Sequence, residues 1–162
     1  MSHDPRLYPP GTPILNLGCG DKTVVGAVNH DRIKHRPEVD VVHDLNVLPW
    51  PWEDEAFELI IASAVLEHLR LTLVEALDEC WRLLRPGGKV RVKVPHWQAD
   101  SSHADPTHRW FYSLQTFDFF DPCTRFGSQF GFYTPCKWEI TKPARLNPAG
   151  VSILCTLRKV KA

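Results

Sequence analysis

Long apolar runs are missing from this chain of 162 residues, and no stretch approaches the roughly 20 needed to span a bilayer. The opening segment, MSHDPRLYPP, holds none of the apolar residues in series that a secretory signal requires. Membrane association is not expected, and a cytoplasmic location is. Paired cysteine motifs are missing too. Cys19, Cys80, Cys123, Cys136 and Cys155 are odd in number and form no CxxC. That pattern argues against a disulfide framework or a zinc ribbon and for free, buried thiols. Net charge is also absent, nineteen basic residues balancing nineteen acidic ones. A protein living on non-specific nucleic-acid binding is usually basic, so nucleic acid is not the expected partner. The basic LRKVKA near the C-terminus reads as a solvated strand end. Internal repeats and low-complexity tracts are lacking, and the fourteen prolines mark loops, so residues 1–162 are read as one domain.

What is present is an alternation of strands and helices. Apolar or alternating runs predict strands at 13–17, 24–30, 39–43, 57–62 and 89–95. A late pair, 137–145 and 151–159, meets across the turn signal NPAG and predicts an antiparallel hairpin. Leu73, Ala76, Leu77, Cys80, Leu83 and Leu84 recur at helical spacing. Thr72 with Glu75 forms a capping box, and RPGG supplies the stop. Shorter helices are expected at 64–69 and 113–120. The sum is an α/β protein with a Rossmann-like, doubly wound, mostly parallel sheet and an antiparallel hairpin at one edge.

The stretch PILNLGCGD, residues 13–21, joins this architecture to chemistry. An apolar strand, interrupted only by Asn16, ends in Gly18 and Gly20. A glycine turn there allows positive φ and close approach of a ligand. In open α/β sheets ligands bind beyond the carboxyl ends of the strands. Two further ends carry acids. Asp31 closes the second strand, where a carboxylate accepts both hydroxyls of a ribose. Asp44 and Leu45 follow the third, where an acid takes an exocyclic amine and an apolar side chain meets a base. Together they describe an adenosine pocket. A dinucleotide fingerprint needs a third glycine, yet position 23 is Thr, and Asp21 would repel a pyrophosphate. The adenosine is therefore expected to carry no diphosphate.

In order, ILNLGCG, AVNHD, VVHDL, ASAVLEHL and LLRPGGKVRVKVP resemble the motifs of class I S-adenosylmethionine-dependent methyltransferases, and most closely the methyltransferase-11-like group. The likeness covers residues 13–95. It implies S-adenosyl-L-methionine as cofactor, with Gly18, Cys19 and Gly20 under its methionine part, Asp31 on the ribose, and Asp44 and Leu45 on the adenine. It also implies Ala62 and Ser63 near the methionine amino group, and His68 beside the cofactor. Asp31 lies only thirteen residues after Gly18, against about 20 in dinucleotide folds. A parallel crossover normally takes a dozen or more residues, so the first crossover helix is expected to be cut short. Lys22 then either reaches the cofactor carboxylate or is a plain surface lysine.

The segment after the fifth strand, PHWQADSSHADPTHRWF, is the expected acceptor side. Three readings stand. His96 or His108 acts as general base, with Asp105 beside it and Arg109 and Trp110 holding an anionic acceptor. Alternatively His103, Asp105 and His108 bind a metal, although the spacing matches no standard ligand motif and no metal is assigned. Or DPTH is a structural turn, with Asp105 capping backbone amides and His108 fixed by hydrogen bonds. RFGSQFGFYTP reads as a mobile lid or an ordered loop. The expected activity is methyl transfer to a small-molecule acceptor. The alternatives are a cofactor-binding partner subunit without catalysis, and an RNA or protein methyltransferase. The sequence ASAV stands where a base-methylating tetrapeptide would, which argues against the last. The thin sheet edge and surplus of aromatic residues suit a homodimer.

Overall fold

A computed structural model describes residues 11–160. The N-terminal decapeptide and the last two residues read above lie outside the described residues. Seven strands form one sheet: β1 (Ile14–Leu17), β2 (Val28–Asp31), β3 (Val41–Val42), β4 (Phe57–Ser63), β5 (Leu84–Pro95), β6 (Trp138–Leu146) and β7 (Ser152–Lys159). Their order across the sheet is β3-β2-β1-β4-β5-β7-β6. The first five are parallel, and β7 runs antiparallel to both β5 and β6. β1 is wholly buried and β4 nearly so, which is why both read as continuous apolar runs instead of alternating ones. The strand order switches sides between β1, which starts the β2–β3 side, and β4, which starts the other. The crevice at that switch point is where an α/β sheet binds its ligand.

The helical complement is sparse. α1 (Leu73–Leu83) carries the expected capping box: Glu75 N–H donates to the Thr72 hydroxyl and Thr72 N–H to the Glu75 carboxylate. Its Ala76, Leu77, Cys80 and Leu83 join the main core with Leu15, Ile60, Val90 and Val92. α2 (Asp100–Ala104) and α3 (Arg125–Phe130) are short. The segments expected as helices at 64–69 and 113–120 are 3₁₀ turns, Leu66–His68 and Thr116–Phe120. RPGG does not simply end α1. The helix stops at Leu83, and RPGG lies inside β5 as a bulge opposite β4, between the Leu84 and Lys89 pairings. RFGSQFGFYTP takes the ordered alternative, as α3 and a 3₁₀ turn stacked with Phe119 through Phe126, Phe130 and Tyr133.

The first crossover goes further than expected: no helical turn remains between β1 and β2, and the strand expected from residue 24 begins only at Val28. Two buried asparagines hold the loop in its place. Asn16 Nδ2 donates to the Lys22 carbonyl at 2.9 Å and to Asn29 Oδ1 at 3.0 Å. Asn29 Oδ1 also accepts from Val24 N–H at 2.8 Å, and Asn29 Nδ2 donates to the Val24 carbonyl at 3.1 Å. Side-chain amides thus satisfy backbone groups that a helix would have paired internally. No helix stands between β2 and β3 or between β3 and β4 either. Among the described residues, no helix is long and apolar enough to cross a membrane.

Candidate active site

A cleft of about 700 Å³ opens beyond the carboxyl ends of β1 to β4. Its floor is the glycine turn. Gly18 sits at φ +55°, and a Cβ there would stand 2.5 Å from Val65 Cγ2, so only glycine fits between the two strand ends. Gly20 N–H donates to Asp31 Oδ2 at 2.9 Å, tying the turn to the end of β2. The second Asp31 oxygen accepts from Arg32 N–H at 2.7 Å. That oxygen also takes a long bond from Ile33 N–H at 3.4 Å, so the half-buried carboxylate faces the cleft with acceptor capacity left chiefly on Oδ2.

His30, one residue earlier, is buried and was not singled out from the sequence. Its ring packs edge-on to Trp52 at 5.4 Å. Nε2 lies 2.9 Å from the His43 carbonyl, and Gly18 N–H points at Nδ1 at 3.4 Å. A carbonyl can only accept and an amide N–H only donate, so the ring is neutral with its proton on Nε2. Burial accordingly holds its pKa below the usual histidine range. On the far side Leu45 is buried, with its carbonyl taking the Trp50 indole N–H at 2.9 Å. Asp44 is exposed and held low chiefly by the backbone N–H of Asn46, with help from that residue's side chain. Asn46 in turn caps the Arg70 N–H.

After β4 the lining is displaced from expectation. Ala62 is fully buried in the sheet and Ser63 still pairs with β5, so neither reaches the cleft. Ala64 and Val65 line it instead, Ala64 in the left-handed region at φ +57°. A non-glycine residue held there is a local strain of the kind that gathers at functional sites. Cys19 also points away: its thiol is buried, and burial first, then Asp31, pushes its pKa up. Lys22 is exposed and outside the lining, in keeping with the surface alternative.

The facing wall comes from the Leu66–His68 turn and the 105–109 segment. Arg109 N–H donates to the Glu67 carbonyl at 2.7 Å and joins the two. His68 and His108 meet edge to face at 4.7 Å. Asp105 Oδ1 accepts from the backbone N–H of Thr107 at 2.8 Å and from its hydroxyl at 2.7 Å, the expected turn. These bonds, the hydroxyl's first, hold the Asp105 carboxyl below its usual range. Asp105 itself is exposed and stays outside the lining, while Pro106, Thr107, His108 and Arg109 line it. His96 is buried at a bridge to Tyr112, with its N–H on the Val151 carbonyl, and does not reach the cleft. Trp110 donates its indole N–H to the Leu69 carbonyl and buttresses the wall from outside. His103, stacked on Phe111, turns to the Trp97 carbonyl and stands apart from His108's cluster.

One residue of this wall escaped the sequence reading. Glu67 is 1% exposed, and neither carboxylate oxygen has a hydrogen-bond partner. Burial raises its pKa to about 7. The signal was an acid between Leu66 and Leu69 in ASAVLEHL, an uncharacteristic place for a solvated charge.

Residues 21–92 match the family described as "Methyltransferase domain", Methyltransf_11. That match spans less than half of the chain. The chain is also similar to a probable S-adenosylmethionine-dependent methyltransferase of Mycolicibacterium smegmatis, 30% identical over 103 residues, which are 53% of this chain and 39% of that protein. The chain spans less than half the length of the curated relatives it matches. In fold the chain is similar to a SAM-dependent methyltransferase from Archaeoglobus fulgidus, with a TM-score of 0.62 and 15% identity over 92% of this chain and 87% of that one. It is equally similar to the [4+2]-cyclase SpnF, with a TM-score of 0.63 and 13% identity over 94% and 76%.

Proposed function

We propose that this chain is an S-adenosylmethionine-dependent methyltransferase and transfers a methyl group to a small, anionic acceptor bound against Arg109. The observation that carries the reading is one cleft with two chemically different walls. Gly18, Gly20, Asp31 and Leu45 line one side, and His68, His108 and Arg109 the other. The first wall fits the cofactor. Asp31 turns a carboxylate with acceptor capacity on Oδ2 toward a ribose hydroxyl, Leu45 offers an apolar surface to a base, and Gly20 leaves open space where a side chain would intrude. S-adenosylmethionine, when bound, supplies a methyl group activated by a sulfonium.

The second wall handles the acceptor. Arg109, with Arg70 nearby in the lining, places positive charge where an anion docks. His108 Nδ1 lies 2.9 Å from the Ser102 carbonyl and so donates there, which turns Nε2 to the proton transfer in the neutral tautomer.

A second reading is favoured by one observation. Along the edge stripped of helices, Val25 is 83% exposed, Ile33 60% and Val47 56%. Apolar side chains left open there suit a partner that covers this edge and completes the site.

Thermal unfolding with and without S-adenosylmethionine, its demethylated product and NADH separates these outcomes. A nucleoside at about 100 times its dissociation constant adds roughly 2.7 kcal/mol to the native state. A shift with the two sulfur nucleosides alone is expected, and Asp31→Ala should abolish it while the protein stays folded. An undiminished shift in that variant would remove Asp31 from the ribose. A shift in the wild type without turnover on any anionic acceptor would favour the partner reading.

A further inference from the structure

The buried carboxylate of Glu67 stands in a particular company. One potential ligand atom from each of Glu67, His68 and His108 lies within 4.8 Å of the other two. Both imidazoles are held in one tautomer by groups behind them. His108 Nδ1 faces the Ser102 carbonyl at 2.9 Å, which can only accept. His68 Nδ1 lies 2.8 Å from the Thr107 hydroxyl, whose own proton goes to Asp105 Oδ1 at 2.7 Å. Thr107 therefore accepts from His68, and a chain His68–Thr107–Asp105 results. Each ring carries its proton on Nδ1, and each Nε2 keeps a free lone pair. Asp105 Oδ2 stands 3.8 Å from His108 Nε2, too far for a hydrogen bond.

This is how metal-binding histidines are prepared: the outward nitrogen donates to a carbonyl or a carboxylate relay, and the inward one is left for the ion. The third member, Glu67, is 1% exposed with both oxygens unpartnered. A buried carboxylate without hydrogen bonds is costly, and a cation between it and the two rings would remove that cost. The hydroxyl of Tyr112 and that of Ser102 are buried and unpartnered as well; Glu67 acts electrostatically on Tyr112, and Ser102 supplies the carbonyl behind His108. We propose that Glu67, His68 and His108 form a binding site for a divalent first-row transition-metal ion in the wall of the cleft, with open coordination positions for an oxygen of the acceptor. Two imidazoles and one carboxylate suit zinc, cobalt, iron or manganese and not an all-oxygen ion such as magnesium. His68 and His108 line the cleft that Arg109 shares, so the ion meets a hydroxyl or carboxylate bound there. That use rests on the methyl-transfer reading; the ion site does not.

The ligands were hard to see in the sequence because Glu67 and His68 are adjacent while His108 lies forty residues on. The DPTH turn, not sequence spacing, returns His108 to them.

The test uses the full chain without a histidine tag, stripped with a chelator and titrated with Co²⁺ or Zn²⁺ alone. Co²⁺ is followed by its visible absorption, and Zn²⁺ by equilibrium dialysis. One equivalent should bind the wild type. Glu67→Gln and His108→Gln should each weaken binding more than tenfold, and Thr107→Val, which frees His68, by roughly 10–100-fold. Glu67→Gln keeps the shape of a side chain that has no partner to lose, so its metal-free melting temperature should not fall, and misfolding is thereby separated from lost ligation. Less than one equivalent in the wild type, or equal affinity in wild type and Glu67→Gln, would overturn the site. Binding of the demethylated nucleoside, measured on the same samples without metal, judges the methyl-transfer reading by itself.

Discussion

His30 shows how much one side chain settles at the mouth of this cleft. Its ring closes the β2 end against Trp52, accepts from the glycine turn and donates to the β3 loop, and it can do all three only while neutral. Its pKa is therefore depressed in the folded protein, mainly by burial. Below pH 6.5 the unfolded chain takes up a proton that the folded chain refuses, so stability is lost as pH falls from about 6.5 through the folded pKa. His68, also depressed by burial, adds in the same direction. His30→Gln keeps a donor toward the His43 carbonyl but removes the titration. Urea unfolding at pH 7.5 and at pH 5.5 should show a smaller acid loss in this variant than in the wild type. Asn16 makes the complementary point. It is conspicuous as the polar residue in an apolar strand, yet its task is visible only once Asn29 and the Lys22 carbonyl surround it.

At the scale of elements, local rules worked where local chemistry is self-contained. α1 is bounded by a capping box that one turn of sequence spells out, and its four buried side chains follow its periodicity. Thr72→Ala should lower stability by about 1 kcal/mol, read from a shift in the urea midpoint at unchanged slope. The Leu66–His68 and Thr116–Phe120 segments, also apolar and helix-like in sequence, stop at 3₁₀ turns. The reason is tertiary. Glu67's carbonyl is taken by Arg109 and Trp110 from a later segment, and so it is not offered to a following helical turn. RPGG is a bulge inside β5 because Leu84 already pairs with Phe57, which draws the chain straight from helix to strand. Neither competition can be read from the segments alone.

At the scale of the whole molecule, the protein is lopsided. β4, β5 and β7 are long and paired along most of their length, with a continuous core beneath them. β3 has two residues and, among the described residues, pairs only with β2 and has no helix over that flank. Hydrogen exchange should reflect this. Amides of β4, β5 and β7 should be protected near the global limit, and those of β2 and β3 should open at least about 1.4 kcal/mol more easily, a tenfold difference in rate. Equal protection would mean that something covers the thin edge in solution. Substrate class, by contrast, does not follow from architecture, as the similarity to a cyclase shows.

By itself the sequence determined the parallel sheet, the glycine turn, the acids at the ends of β2 and β3 and the antiparallel closing pair. Each depends on residues close together in the chain: periodicity, turn chemistry, a carboxylate one step past a strand. Tertiary structure alone decided that Ala64 and Val65, not Ala62 and Ser63, face the cleft. It also decided that Asn16 and Asn29 stand in for a helix, and that His96 turns away while His108 turns in. It left Glu67 without a partner beside two prepared imidazoles. These outcomes depend on which distant backbone groups compete for the same hydrogen bonds and on which side chains the core has already enclosed. That competition is resolved only when the strands are in register.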